Sequence, residues 1–104
     1  MGTLYYGAAR TAVQIDDRVL AHVKVLIGSK LRRNEPFLLS WQESAAEGHG
    51  RTSVWIHPHT DLIYRFDGNR PPELDAALLE QMSDEALSQT GVHIEAGMPR
   101  FSGR

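Results

Sequence analysis

The residues best suited to metal chemistry are two histidines and an aspartate that lie close together in the sequence. His57, His59 and Asp61 offer two imidazoles and a carboxylate, a ligand set that open zinc sites use. On an extended strand the H-x-H spacing places both rings on one side of the backbone. Pro58 stands between the histidines, however, and bends the segment toward a turn. The pattern favours a turn between two strands, and these three residues remain weak candidates for metal ligands.

A formal set of residues for hydrolysis occurs in the same region. Ser40 or Ser53 would complete a serine–histidine–aspartate trio with His57 and Asp61. No G-x-S-x-G turn marks either serine as activated, and no G-x-G-x-x-G or G-x-x-x-x-G-K-[ST] motif indicates a phosphate cradle. Cysteine is absent, which excludes thiolate catalysis, disulfides and cysteine-ligated metals. We therefore predict no catalytic residues and no cofactor.

Several basic residues and one tryptophan suggest nucleic-acid binding. Sheets that bind single strands combine cations for phosphate with exposed aromatic rings for base stacking. Residues 1–41 hold six basic against three acidic residues, although the net charge of the whole chain is −2. That net charge opposes the interpretation, because phosphate neutralisation supplies most non-specific affinity. Ordinary solvated charge and buried tryptophans are the alternative. The nucleic-acid candidates are Lys30, Arg32, Arg33, Arg51 and Trp55.

The front half of the chain predicts a hairpin and a helix. Alternating apolar residues indicate a β-hairpin over about 3–15. Apolar residues then recur at steps of three and four, which predicts an amphipathic helix over about 17–33. Asp16 or Asp17 can cap its first turn, and Asn34 can end it in the left-handed conformation. Capping also explains this pair of carboxylates better than acid–base catalysis does.

The back half predicts three strands, a second helix and a final strand. Strands over 37–41, 52–57 and 62–66 alternate with a period of two, and we expect them to form an antiparallel meander. A second amphipathic helix is predicted over about 72–89, with Gly91 as its C-cap. A short strand after this glycine completes the order ββ-α-βββ-α-β.

This order predicts an α+β fold in which two amphipathic helices cover one face of a mostly antiparallel sheet of about six short strands. We expect a single domain over 1–95 and a loose tail over 96–104. Without a signal peptide or a long apolar run, we expect no membrane contact and a cytoplasmic location. The uncovered face would carry Leu38, Trp55 and Ile63, and such apolar area favours self-association.

Several short motifs resemble those of one family of small proteins. They run from Ile15 to His22, from Lys30 to Arg33, from Trp55 to Pro58 and from Arg70 to Leu74. These motifs are similar to those of short actinobacterial proteins that form a domain of unknown function. Many of those proteins carry the label "ATP-dependent DNA ligase". The resemblance implies no catalytic residues, and its label implies a role at DNA.

A complete ligase is not what these residues encode. Such enzymes attack ATP with the lysine of a Lys-x-Asp-Gly motif, and neither Lys24 nor Lys30 begins one. We therefore predict a small non-enzymatic binding or assembly module. The alternative is an accessory protein that binds nucleic acid, and a small metal-dependent or hydrolytic enzyme comes third.

Overall fold

Strands and helices follow one another in the predicted order. The computed structural model describes residues 1–43 and 50–96, and within them the α+β class is confirmed. The predicted tail lies outside these residues except for Ala96. The elements are β1 (Gly2–Tyr6), β2 (Thr11–Ile15), α1 (Asp17–Arg32), β3 (Phe37–Gln42), β4 (Arg51–Ile56), β5 (Leu62–Arg65), α2 (Ala76–Ala86) and β6 (Val92–Glu95).

The strands form two three-stranded sheets instead of one. The first sheet has the order β2-β1-β5 and is antiparallel throughout. The second has the order β4-β3-β6, with β6 parallel to β3. The predicted meander is therefore wrong at its last step, because β5 pairs with β1, where Tyr64 lies opposite Leu4. Alternation within a segment predicts a strand but does not specify its partner.

Helix α1 forms where its apolar periodicity and its end signals agree. The side chain of Asp16 accepts a hydrogen bond from the Arg18 N–H, so Asp16 is the N-cap. Asn34 has a φ of 57°, the left-handed conformation expected at the end of the helix. The helix contacts β1 and α2.

Helix α2 is shorter than the predicted 72–89. Its first residue is Ala76, because the Asp75 side chain accepts hydrogen bonds from the N–H groups of Ala77 and Leu78 and so caps the helix there. The helix ends at Ala86, and Gly91 lies beyond it as a separate left-handed residue. The residues predicted as the first turn of this helix therefore belong to a loop.

One apolar cluster joins the two sheets and both helices. Trp41 belongs to it, as its position beside Phe37 and Leu39 on one face of β3 predicts, and Met82 is the buried residue of α2. The cluster consists of Leu4, Val13, Ile15, Leu20, Val23, Leu26, Ile27, Phe37, Leu39, Trp41, Val54, Ile56, Met82, Val92 and Ile94.

Candidate binding groove

A groove of about 330 Å³ lies between α1 and the loop that connects β5 to α2. We call it the α1–loop groove. One wall is the outer side of α1, and the other is formed by loop residues between Phe66 and Leu74. Its lining residues are Ala21, Lys24, Val25, Phe66, Gly68, Asn69, Arg70, Pro71, Pro72 and Leu74.

The walls of the groove present apolar side chains to solvent. Val25 on α1 is 39% exposed and Leu74 on the loop is 52% exposed. Both are large hydrophobic residues, for which such exposure is informative when they share one concave site. Phe66 is only partly exposed and packs against the core cluster. The groove therefore combines an aromatic ring that packs on the core with accessible apolar side chains on both walls.

The charged residues that line the groove are basic. The ammonium of Lys24 lies 5.8 Å from the centre of the Phe66 ring, within the range of a cation–π interaction. Arg70 is exposed on the loop wall. Glu73 belongs to the same loop and is exposed, but it does not line the groove. An anionic group therefore finds two cations beside an apolar surface.

Asp17 holds the first end of the loop against α1. Its two carboxylate oxygens accept hydrogen bonds from the backbone N–H groups of Asp67, at 3.3 Å, and Gly68, at 2.9 Å. The helix cap is the neighbouring Asp16, so Asp16 binds an amide of the helix and Asp17 binds amides of the loop. The start of the loop is thereby fixed to the first turn of the helix.

His22 holds the other end of the loop. It is fully buried, and its Nε2 accepts a hydrogen bond of 2.8 Å from the backbone N–H of Asp75. Its Nδ1 lies 2.7 Å from the carbonyl oxygen of Arg18. Because Nε2 accepts, the proton belongs on Nδ1, which donates to that carbonyl. A neutral imidazole thus satisfies two backbone groups and joins α1 to the start of α2.

Asp75 connects this junction to a surface cation. One carboxylate oxygen caps α2, and the other lies 3.1 Å from Nη2 of Arg18. The N–H groups of Leu78 and Ala77 lower the pKa of Asp75, and the positive charge of Arg18 acts in the same direction. Asp17, Arg18 and His22, which are close neighbours on α1, therefore position both ends of the loop.

A comparison with protein families places the whole groove within one family domain. The family model described as a domain of unknown function, DUF7882, matches residues 1–97. The chain belongs to the DUF7882 family. No curated protein and no solved structure matches it. The matched residues of the DUF7882 domain include both walls of the groove and every side chain that holds them together.

Two separate sequence motifs of this DUF7882 domain meet at the α1–loop groove. The motif from Ile15 to His22 supplies the side chains that hold the loop, and the motif from Arg70 to Leu74 forms the loop wall. The sequence pattern assigned residues 72–74 of the second motif to the second helix and gave His22 no partner. The detectable signal was a histidine on the apolar side of an amphipathic helix, where burial requires a partner for each nitrogen.

The basic residues at the end of α1 differ in accessibility. Lys30 is buried, and its ammonium lies 3.4 Å from a carboxylate oxygen of Glu35. Arg33 shares that oxygen at 3.7 Å and also contacts Ser29. Arg32 is exposed. Of these three candidates at the end of α1, Lys30 is the least accessible.

The remaining nucleic-acid candidates lie on β4. Arg51 and Trp55 share its solvent-facing side, and Trp55 is 53% exposed. Their separation of four strand residues corresponds to about 13 Å. Leu38 lies opposite Trp55 across the β3–β4 pair, whereas Ile63 belongs to the other sheet. The apolar face expected for self-association is therefore divided between two sheets, and self-association stays a prediction.

The histidine and serine candidates of the DUF7882 domain make local contacts. Nδ1 of His57 accepts a hydrogen bond from the backbone N–H of His59 at 3.3 Å, and the ring centres lie 6.3 Å apart. Within residues 1–43 and 50–96, no group of three or more metal-binding side chains is assembled, so Asp61 does not complete a site. The hydroxyls of Ser40 and Ser53 lie 2.7 Å apart and bond to each other.

A helix that crosses a membrane must be long and apolar. Neither α1 nor α2, the helices in the described part of the chain, has the length and apolar character that crossing a membrane requires.

Proposed function

We propose that this DUF7882 domain is a non-enzymatic binding module and that the α1–loop groove is its ligand site. The observation that carries the proposal is the exposure of Val25 and Leu74 at the edges of one supported groove. Concave sites lined mainly by apolar side chains, with a few polar groups, are typical of ligand binding. No activated nucleophile or acid–base pair accompanies the groove among the residues that line it.

The fixed position of the loop supports a binding role. Asp17 and His22 hold its two ends with hydrogen bonds, and Pro71 and Pro72 restrict the backbone between them. A site that is ordered before the ligand arrives loses less conformational entropy on binding. The groove is thus suited to hold a ligand without first rearranging its walls.

A neutral apolar dye tests the proposal. We expect the fluorescence of N-phenyl-1-naphthylamine to rise saturably with the wild-type domain. Leu74→Ser removes apolar surface at the groove and should weaken dye binding about three- to tenfold. Leu87→Ser is the matched control, since Leu87 is 78% exposed and does not line the groove. Equal dye affinity for the two variants would contradict the proposal.

A second candidate is nucleic-acid binding through the outer side of β4. It is supported by the exposure of Trp55 beside Arg51 on that side, and the ligase label of similar actinobacterial proteins agrees with it. Labelled single-stranded DNA, titrated at low and moderate salt, tests this candidate through anisotropy and tryptophan emission. Binding that weakens with salt and is lost in Trp55→Ser would support it. Unchanged binding by Trp55→Ser would exclude this side of β4.

A further inference from the structure

We infer that the α1–loop groove takes an acidic amphipathic segment of a partner protein, with an apolar side chain in the groove and carboxylates against Lys24 and Arg70. This inference rests on the proposed function and adds the class of the ligand. It follows from the sign of the charges at the groove, from the shape of the groove and from the arrangement of its apolar edges.

The charge at the groove is opposite in sign to that of the whole chain. The net charge of the chain is −2, but the charged lining residues are Lys24 and Arg70. Two nearby carboxylates are paired with cations, Asp75 with Arg18 and Asp67 with the N-terminal ammonium, and Asp17 is directed at the loop amides. Complementary charge orients a partner and rejects one of the wrong sign. An anionic ligand is therefore favoured here although the protein as a whole repels anions weakly.

The positive charge of Lys24 lies next to the apolar surface of the groove. It lies over the Phe66 ring, 5.8 Å from the ring centre, so the ammonium and the aromatic ring are adjacent. The aliphatic part of a lysine side chain can cover apolar surface while its charged end stays in water. A ligand that fills the groove thus brings its flanking groups close to this cation. Carboxylates next to an apolar side chain match that arrangement.

The shape of the groove favours a segment of a protein over a small enclosed ligand. Its volume of about 330 Å³ is at the lower end for ligand pockets, and the groove is open on its outer side. Val25 and Leu74 line it from opposite walls and are both exposed. An amphipathic peptide can contact such a surface with successive apolar side chains, as helices in hydrophobic grooves do.

A displayed library of random 12-residue peptides, selected on the wild-type domain and counter-selected on Leu74→Ser, tests the inference. We expect enrichment of sequences in which a large apolar residue is flanked by Asp or Glu. Enrichment of basic or uncharged apolar sequences that still depend on Leu74 would overturn the inference and leave the proposed function standing. No enrichment, together with no dye binding, would overturn both.

The charge contacts are tested with the best enriched peptide. Lys24→Gln/Arg70→Gln should weaken its binding on the order of three- to tenfold, and added salt should reduce the difference from wild type. Arg10→Gln/Arg65→Gln is the matched control, because it removes two exposed cations outside the groove, one in the β1–β2 turn and one on β5, and changes the net charge equally. Equal weakening in both double variants would overturn the inference.

Molar mass in solution separates a partner protein from a second copy. We expect Leu74→Ser to leave the molar mass of the domain unchanged at concentrations where the enriched peptide binds. A dimer that Leu74→Ser dissociates would overturn the inference, because the groove would then be occupied by another copy of this chain.

Discussion

The imidazole of His22 satisfies two buried backbone groups, one on each side of a helix junction. His22→Phe keeps an aromatic ring but removes the acceptor for the Asp75 N–H. Leaving that donor without a partner should lower the free energy of unfolding by about 1–3 kcal/mol, measured by urea denaturation. His93→Phe is the control, since His93 is exposed on β6. If the two variants are equally stable, His22 does not secure the junction.

At the residue scale, the sequence predicted which residue types would accept hydrogen bonds better than it predicted their bonding partners. It predicted a capping carboxylate at Asp16 or Asp17, and Asp16 is the cap. The bond from Asp17 to Gly68 joins residues 51 positions apart, so no local pattern contains it. The same holds for His22 and Asp75, which are 53 positions apart. The groove depends on these distant contacts, which is why the sequence alone did not predict it.

At the element scale, the start of α2 depends on the ionised form of Asp75. The amides of Leu78 and Ala77 hold its pKa below the ordinary value of 3.8. A carboxyl whose pKa is lower in the folded state stabilises the fold above the unfolded-state pKa and loses this contribution as the pH falls through the folded-state value. We therefore expect unfolding free energy to decrease below about pH 4 in the wild-type domain. Urea denaturation at several pH values measures this decrease.

A neutral cap isolates the contribution of Asp75 from that of the other carboxyls. Asp75→Asn retains an oxygen that can cap α2 but does not titrate, so its stability should fall less on acidification than that of wild type. Glu73→Gln is the control, because it removes an exposed carboxyl two residues away in the same loop. An acid response of Asp75→Asn equal to that of Glu73→Gln would contradict the assignment.

Periodicity predicted the elements of the fold but not their pairing. The first hairpin and α1 were predicted within one or two residues, because their apolar positions and end signals agree. The start of α2 was misplaced, since Leu74 continues the apolar stripe of the helix although it precedes the cap. The sequence did not predict which strands pair, because β5 has the same alternation whether it pairs with β1 or with β4.

At the scale of the whole molecule, two sheets share one apolar cluster. The cluster includes residues of both sheets and both helices, so neither sheet has a core that excludes the other. We therefore treat unfolding as a single cooperative transition, which coincident transitions by circular dichroism and tryptophan fluorescence would establish.

A hydrogen bond also joins the two sheets directly. The hydroxyl of Tyr6, on β1, donates to the carbonyl oxygen of Trp55, on β4, at 2.7 Å. Tyr6→Phe removes this bond and should lower the free energy of unfolding by about 0.5–1.5 kcal/mol, with a shift in the emission of the adjacent Trp55. Tyr5→Phe is the matched control, because the neighbouring Tyr5 faces the other side of β1. If both variants lose the same stability and keep wild-type emission, the bond does not contribute, and the shared cluster alone holds the two sheets together.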